Sequence, residues 1–282
     1  MKLVIVGNGV AGVTTARYVS DRDPSIEIAI YSDESYSYYP RPRLIDLIAG
    51  KASPQEIAFY PAEWYAKRHI GIHLERCAAS LDPDGHRITL ADGEVVAYDR
   101  LLLANGAHSW KPPISGADLP GVYTLRSMED ALAILEGAKR SRRIIVLGGG
   151  LLGLDLSYAL HTHGVEVTVV ELLPRLLPRQ LDEEGAAVLQ GIIEGGGVHI
   201  ITGQSCTLIE GDGAVQRIHL KSGDVIDTDM VVISAGVRPN LELARSGGLT
   251  CNKGVVVDEY LRTSHPDVLA VGDVAEFGER VW

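Results

Sequence analysis

Residues 2–12, KLVIVGNGVAG, and residues 143–153, RIIVLGGGLLG, carry the same pattern. Each is an apolar, β-branched run that ends in the motif G-x-G-x-x-G and continues into a helix-like segment. A second apolar strand follows each helix, IEIAIYS at 26–32 and VEVTVVE at 165–171. The order strand, glycine turn, helix, strand therefore occurs twice and predicts an α/β fold with a repeated unit.

The glycines of each motif have separate physical roles. The first permits the tight turn out of the strand, and the second lets a diphosphate approach the backbone. The third lets helix and strand pack closely, while the helix N-terminus offers unpaired N–H groups to the phosphates. The glycines in these roles are Gly7, Gly9 and Gly12 in the first motif and Gly148, Gly150 and Gly153 in the second. One such motif is weak evidence, but two in the right context predict two dinucleotide sites.

An acidic residue at the end of the second strand completes each unit. Glu171 closes the strand VEVTVVE, and a carboxylate there favours NADH because it would repel the 2′-phosphate of NADPH. The alternative is that Glu171 is simply a solvated acid at a strand end. In the first unit the strand ends at Ser32, and either Asp33 or Glu34 is the ribose ligand, with Asp33 favoured.

Composition limits the classes of function. The chain has 282 residues, 46% of them hydrophobic, which is enough for a packed core and two domains. A net charge of -11 argues against nucleic acid or an anionic membrane as the main partner. Three distant cysteines without a CxxC pair predict neither a disulfide framework nor a metal site. No apolar stretch reaches membrane-spanning length without glycine or charge, so we expect a cytoplasmic protein.

Further motifs lie between and after the two units: YYPRPRL (38–44), YDRLLLANGA (98–107), AGVRPN (235–240) and VLAVGDVAE (268–276). Together with the glycine motifs, this ordered set resembles the FAD-dependent pyridine nucleotide–disulfide oxidoreductase superfamily over essentially the whole chain. The resemblance is closest to NADH:rubredoxin and ferredoxin reductases and to the flavin portion of NADH-dependent nitrite reductases. It implies two Rossmann-like domains, with a domain for NAD(P)H at 111–236 inserted into an FAD domain at 1–110 and 237–282.

The resemblance also assigns roles to residues. It implies FAD at the first glycine motif and NAD(P)H at the second, where Glu171 favours NADH over NADPH. The FAD site would include Ala104, Gly106 and the pair Gly272-Asp273, in which Asp273 holds a ribitol hydroxyl and Gly272 admits the flavin chain. The second crossover between the domains would lie near Gly236.

Two charged residues are implied to act near the reacting rings. Asp155 stands where the family has an acid near the nicotinamide, although Asp is shorter than the usual Glu. Its basic partner would be Arg41 or Arg43, with Arg41 favoured and also assigned to the cofactor site. The alternative for Asp155 is an acid favoured by the dipole at a helix N-terminus.

Several departures qualify the resemblance. Residues 33–60 contain no cysteine, so dithiol chemistry is not expected, and Cys77 is predicted to be a buried residue of a strand. Asn105 replaces the usual Thr. His161 and His163 are predicted to end a helix rather than to bind a metal. The C-terminal interface domain of the family is missing, so we expect a truncated chain, a homo-oligomer or a partner chain that supplies it.

The predicted function is transfer of a hydride from NADH to FAD, with electrons passed to an acceptor such as rubredoxin, ferredoxin or a nitrite-reductase-like module. Two alternatives remain at this stage. One is an NADH oxidase that reduces oxygen directly. The other is a non-catalytic nucleotide-binding or scaffold subunit.

Overall fold

The structure is a computed structural model that describes residues 1–281. The strands are β1 (Lys2–Val6), β2 (Glu27–Tyr31), β3 (Ile70–His73), β4 (Ala78–Asp82), β5 (Arg87–Leu90), β6 (Val95–Ala97), β7 (Arg100–Leu103), β8 (Ala107–Ser109), β9 (Val122–Thr124), β10 (Arg143–Leu147), β11 (Glu166–Val170), β12 (Val198–Ile201), β13 (Cys206–Gly211), β14 (Val215–Leu220), β15 (Val225–Asp227), β16 (Met230–Ile233), β17 (Val237–Pro239), β18 (Val255–Val256), β19 (Val268–Ala270), β20 (Ala275–Phe277) and β21 (Arg280–Val281). The α-helices are α1 (Val10–Arg22), α2 (Leu44–Ile48), α3 (Pro54–Ile57), α4 (Ala62–Ala66), α5 (Met128–Ala138), α6 (Leu151–His161), α7 (Glu183–Gly195) and α8 (Glu242–Ser246).

The chain divides into two compact units. Unit 1 comprises Met1–Pro40, Gln55–His108 and the residues from Val237 onward. Unit 2 comprises Arg41–Pro54 and Ser109–Gly236. The second part of unit 2 begins two residues before the range 111–236 predicted for the inserted domain and ends at the same residue. The first part, Arg41–Pro54, falls within the range 1–110 predicted for the other domain, and its helix α2 packs against α5 and α6 of unit 2. The division into an FAD domain and an NAD(P)H domain stays a prediction.

Unit 1 is built on a parallel sheet. Within residues 1–281 its strand order is β19-β7-β1-β2-β3, and each neighbouring pair is parallel. Leu3 and Ile5 of β1 belong to the core cluster that includes α1, whereas Val4 and Val6 belong to the cluster that includes β5 and β6. Both faces of the sheet are therefore covered, which explains why β1 is an unbroken apolar run.

Unit 2 repeats this plan. Its parallel sheet has the order β12-β11-β10-β16-β9 among the described residues. Ile145 and Leu147 of β10 share a core cluster with Ile209 and Ile218 of the antiparallel sheet β13-β14-β15. Burial of each such aliphatic side chain stabilises the fold by about 1.5–3 kcal/mol. The α/β class with two parallel sheets, predicted from the repeated motif, is confirmed.

Two local features agree with the residue types at their positions. The turn at Asp92-Gly93 joins β5 to β6, and Asp182 caps α7 through a hydrogen bond from Gly185 N–H to its Oδ1 (2.8 Å). The prediction for Cys77 is wrong, because this residue is exposed and precedes β4, a strand whose residues are mostly exposed or half-buried. Within residues 1–281, no helix combines the length and apolar character that crossing a membrane requires.

Asp229 anchors the start of β10, the strand that leads into the second glycine motif. Its Oδ2 accepts hydrogen bonds from the N–H groups of Arg142 (2.8 Å) and Arg143 (2.9 Å). Desolvation acts to raise the pKa of Asp229, but the two N–H groups and the positive charges of Arg142 and Arg143 together outweigh it, so the pKa lies below its ordinary value. A carboxyl group of this kind stabilises the folded state above its ordinary pKa, and the stabilisation disappears as pH falls through the lowered value.

We therefore expect Asp229→Ala to lower the free energy of unfolding by about 1 kcal/mol near neutral pH. The difference from the wild type should shrink in acid, as the pH falls through the lowered pKa and the carboxyl group becomes protonated. Urea denaturation at neutral and at acidic pH measures this. Asp118→Ala, which removes a carboxylate that is 93% exposed, is the control and should change stability by less than about 0.5 kcal/mol. An equal loss for Asp229→Ala at both pH values would contradict the assignment.

Candidate nucleotide-binding sites

The first glycine loop, residues 7–12, joins β1 to α1. Gly7 has φ +110°, and a Cβ at this position would lie 2.2 Å from Ala104 O. A Cβ on Gly12 would lie 2.1 Å from Gly7 O, so only glycine lets α1 begin this close to the turn. Gly9 is different, because its Cβ would have no heavy atom within 4 Å and it begins α1 without a side-chain cap. Open space beside uncapped N–H groups is what a diphosphate requires.

The second loop, residues 148–153, has the same geometry. Gly148 has φ +119° and a Cβ there would lie 2.2 Å from Ser234 O. A Cβ on Gly153 would lie 2.0 Å from Gly148 O, whereas one on Gly150 would have no heavy atom within 4 Å. Gly150 also begins α6 without a side-chain cap. The structure thus contains two glycine loops with the same geometry, residues 7–12 in unit 1 and residues 148–153 in unit 2. We refer to each of these loops as a cradle.

In unit 1, further predicted residues lie at the same edge of the sheet as the first loop. This is expected because the carboxyl ends of parallel strands share one edge. Ala104 follows β7, is buried, and donates its N–H to Val6 O (2.8 Å). Gly272 follows β19 with φ +76°, and a Cβ on it would lie 3.0 Å from Ala11 Cβ. The half-buried Asp273 comes next in the chain, so the pair Gly272-Asp273 lies beside the first turn of α1.

A pair of asparagines closes the turn after β7, and the sequence analysis missed it. Asn105 Nδ2 donates to Asn240 O (2.9 Å), and Asn240 Nδ2 donates to Asn105 O (2.7 Å). Asn240 N–H also bonds Gly106 O (2.9 Å), where Gly106 has φ +65°. The amide of Asn105 therefore ties this turn to the segment that follows Gly236. The only signal in the sequence was the replacement of the family's Thr at position 105.

The two candidate ribose acids of unit 1 have different surroundings. Glu34 accepts a hydrogen bond from Tyr39 OH, and its N–H donates to Ser32 Oγ (3.4 Å). Asp33 is exposed at the end of β2. Glu34 is thus engaged within the protein, whereas the Asp33 carboxylate is open to a ligand.

In unit 2, Glu171 lies directly beside the second glycine loop. Its Oε2 accepts the N–H of Gly149 (2.6 Å), and its Oε1 accepts the N–H of Leu173 (2.8 Å). Two backbone donors therefore hold the carboxylate at the carboxyl end of β11. A carboxylate held in this place suits the adenosine ribose of a dinucleotide bound at the loop.

The charged residues implied to act near the reacting rings have different surroundings in the structure. Asp155 is exposed on α6, and Arg41 Nη1 donates to Arg126 O (2.8 Å). Arg43 Nε pairs with Asp46 Oδ2 (3.2 Å). A joint role for Asp155 and Arg41 stays a prediction.

The two histidines at the end of α6 make contacts within unit 2. His161 Nδ1 lies 3.2 Å from Val165 O, and His163 Nε2 lies 2.5 Å from Ile48 O. Gly164 follows with φ +77°, a conformation that glycine commonly adopts just after a helix. No group of three His, Cys, Asp or Glu side chains suited to a metal ion occurs in residues 1–281.

These features fit a dinucleotide in each unit. Each cradle has space at its second glycine that any side chain would fill, and each has a carboxylate at the end of the neighbouring strand. In unit 1, Gly272 is a second residue that has no Cβ, and it lies close to the first turn of α1. The arrangement is suited to binding and orienting two nucleotides rather than to acid–base chemistry by the protein.

Comparisons with known proteins agree with this reading. The sequence profile of the family described as pyridine nucleotide-disulphide oxidoreductase matches residues 1–282. The assimilatory nitrate reductase electron transfer subunit of Bacillus subtilis (strain 168) is 33% identical over 282 residues, covering 100% of this chain and 37% of that protein. The rubredoxin-NAD(+) reductase of Pseudomonas putida is 35% identical over 277 residues, covering 98% of this chain and 72% of that protein.

A solved structure gives the same result for the fold. The ferredoxin reductase for the CYP199A2 system from Rhodopseudomonas palustris superposes with a TM-score of 0.91 at 31% sequence identity. The match covers 98% of this chain and 69% of that one. The chain therefore corresponds to only part of each of these proteins, and to little more than a third of the nitrate reductase subunit.

Proposed function

Because the chain belongs to the pyridine nucleotide-disulphide oxidoreductase family, we propose that it is an FAD-dependent NADH oxidoreductase that passes electrons to a separate acceptor. The observation that carries the proposal is the matching geometry of the two glycine loops. Each has open space at its second glycine beside an uncapped helix N-terminus. Two such cradles suit two dinucleotides, one that donates a hydride and one that accepts it.

Unit 1 is the proposed FAD site. The N–H groups at the start of α1 would bind the FAD diphosphate, and the absence of a side chain at Gly9 lets it approach. Asp33 would accept hydrogen bonds from the adenosine ribose, and Asp273 from a ribitol hydroxyl. Gly272 would leave room for the flavin chain. When bound, the flavin supplies the redox chemistry, because it accepts a hydride from reduced nicotinamide and releases electrons to an acceptor.

Unit 2 is the proposed NADH site. The N–H groups at the start of α6 would bind the NADH diphosphate. Glu171 would accept hydrogen bonds from the ribose hydroxyls and repel the extra phosphate of NADPH. Asp155, with Arg41 as its proposed basic partner, would orient the nicotinamide. In this proposal the protein supplies position and electrostatics, which hydride transfer needs more than it needs proton donors.

The proposed acceptors are rubredoxin, a ferredoxin or a nitrite-reductase-like module, since the proteins that this chain is similar to include a rubredoxin reductase, a ferredoxin reductase and a nitrite reductase. The net charge of -11 would slow encounter with an acidic carrier at low salt. We also propose that the protein acts in the cytoplasm. It would assemble as a homo-oligomer or with a partner chain.

The visible spectrum of the chain supplied with FAD, recorded before and after anaerobic NADH, tests the proposal. We expect bound flavin whose absorbance band is lost when NADH is added and returns when a one-electron acceptor follows. Free FAD mixed with NADH at the same concentrations is the control for uncatalysed reduction. A chain that takes up NADH but no FAD contradicts the reductase and favours a nucleotide-binding subunit. Rapid reoxidation by oxygen alone would favour an NADH oxidase.

A further inference from the structure

The residue between the first two glycines of each loop is held differently in the two units. In unit 2 this residue is Gly149, whose N–H donates to Glu171 Oε2 (2.6 Å). In unit 1 it is Asn8, which is 8% exposed and whose Oδ1 accepts a hydrogen bond from Tyr65 OH (3.2 Å). The first loop is thus fixed through a side chain that the second loop does not have.

Tyr65 links this loop to a second segment of unit 1. It lies in α4, is 1% exposed, and its ring belongs to the core cluster around β1. Its hydroxyl oxygen accepts the N–H of Tyr38 (3.3 Å) while its proton goes to Asn8. Burial raises the pKa of Tyr65, so the hydroxyl keeps the proton that it donates. A continuous chain of hydrogen bonds therefore runs from residue 38 to the glycine loop.

The remaining polar atom of Asn8 indicates a loop that is prepared for a ligand. Asn8 Nδ2 is buried and has no hydrogen-bond partner among residues 1–281. Buried donors without partners are uncommon in native proteins and costly to maintain. This one adjoins Gly9, where open space lies beside the uncapped N–H groups of α1.

We propose that Tyr65 is a positioning residue for FAD, which holds Asn8 and thereby presets the first glycine loop for the FAD diphosphate. The inference rests on the proposed function, because it assumes that unit 1 binds FAD. A loop that is already ordered loses less conformational freedom when the ligand binds. Tyr65 therefore raises FAD affinity through Asn8, without touching the cofactor.

The test is a double-mutant cycle on FAD affinity, measured by titrating the apoprotein and following flavin fluorescence. We expect Tyr65→Phe to weaken FAD binding about fivefold, the effect of one ordinary hydrogen bond, and Asn8→Ala to weaken it at least as much. If Tyr65 acts through Asn8, the double variant should bind FAD no more weakly than Asn8→Ala alone. The affinity of Tyr65→Phe for NADH should stay within about twofold of the wild type, since the change lies in unit 1.

Tyr98→Phe is the matched control. Tyr98 is 4% exposed, lies in unit 1, and its buried hydroxyl has no partner in the described part of the chain. Removing it should leave FAD affinity within about twofold of the wild type. The inference would be overturned if Tyr65→Phe bound FAD within twofold of the wild-type affinity. It would also be overturned if the losses of affinity from the two single variants added in the double variant. If Tyr65→Phe does not fold, wild-type affinity in Asn8→Ala overturns it. A wild-type chain that binds no FAD overturns the proposed function and this inference together.

Discussion

Replacing Gly150 with valine is expected to abolish NADH binding while the protein stays folded. Gly150 has φ -75° and ψ 176°, an extended conformation that valine adopts, and a Cβ there meets no heavy atom within 4 Å. The isopropyl group fills the proposed place of the NADH diphosphate and separates it from the first N–H groups of α6. Loss of two charge-assisted hydrogen bonds, about 1.5–3 kcal/mol each, predicts binding at least about 100-fold weaker. Isothermal titration calorimetry with NADH measures the change.

Gly9→Val is the reciprocal variant, since Gly9 has φ -79°, ψ -178° and the same open surroundings. It should lose FAD and keep NADH, whereas Gly150→Val should lose NADH and keep FAD. Thermal melting of both apoproteins should match the wild type within a few degrees, because a Cβ at either position meets no heavy atom within 4 Å. If Gly150→Val lost FAD instead, the assignment of nucleotides to units would be reversed. If both variants bound both nucleotides normally, the cradles would not be the binding sites.

The choice of the second glycine matters for this experiment. A Cβ on Gly153 would lie 2.0 Å from Gly148 O, so a substitution there would push α6 away from the strand. Lost binding in such a variant would not distinguish damage to the fold from damage to the site. Among the motif glycines of the two loops, only Gly9 and Gly150 have space for a Cβ. A substitution at either position therefore tests ligand binding without disturbing the packing of the helix on the strand.

The positions where the fold requires glycine, and the location of the acid at the end of β11, could be predicted because they depend on local geometry. The backbone of a strand–turn–helix unit determines where glycine is needed, and these needs are visible as spacing within residues 7–12 and 148–153. The position of Glu171 could be predicted for the same reason. Because β11 is a parallel neighbour of β10, its carboxyl end lies next to the loop that follows β10.

Contacts between distant parts of the chain could not be predicted in this way. The bonds between Asn105 and Asn240, and between Tyr65 and Asn8, join residues that no periodic pattern relates. The placement of Arg41–Pro54 in unit 2 depends on the packing of a five-residue helix against two others. Cys77 was expected to be buried because its segment looked like a strand, but β4 begins one residue later and its residues are mostly exposed or half-buried.

Glu171→Arg is expected to invert the preference between NADH and NADPH. The wild-type carboxylate is held by the N–H groups of Gly149 (2.6 Å) and Leu173 (2.8 Å), which place its negative charge beside the second loop. A 2′-phosphate at that position is repelled by a carboxylate and bound by a guanidinium group, which matches phosphate in a bidentate manner. A tenfold loss for NADH and a tenfold gain for NADPH, about 1.4 kcal/mol each, change the selectivity by about 100-fold. The ratio of dissociation constants for the two nucleotides is the measurement.

Glu171→Gln separates two contributions to the change in selectivity, the relief of repulsion and the attraction of the guanidinium group to the 2′-phosphate. It removes the charge but keeps a side-chain oxygen for one of the backbone N–H groups, so it should weaken the discrimination against NADPH without creating a preference for it. The larger change in Glu171→Arg then reports attraction to the 2′-phosphate, and the smaller change reports relief of repulsion. FAD affinity should stay at the wild-type value in both variants, because the first loop lies in unit 1. Unchanged selectivity in Glu171→Arg would show that Glu171 does not contact the ribose. Its carboxylate would then have one role, which is to accept the hydrogen bonds from the N–H groups of Gly149 and Leu173.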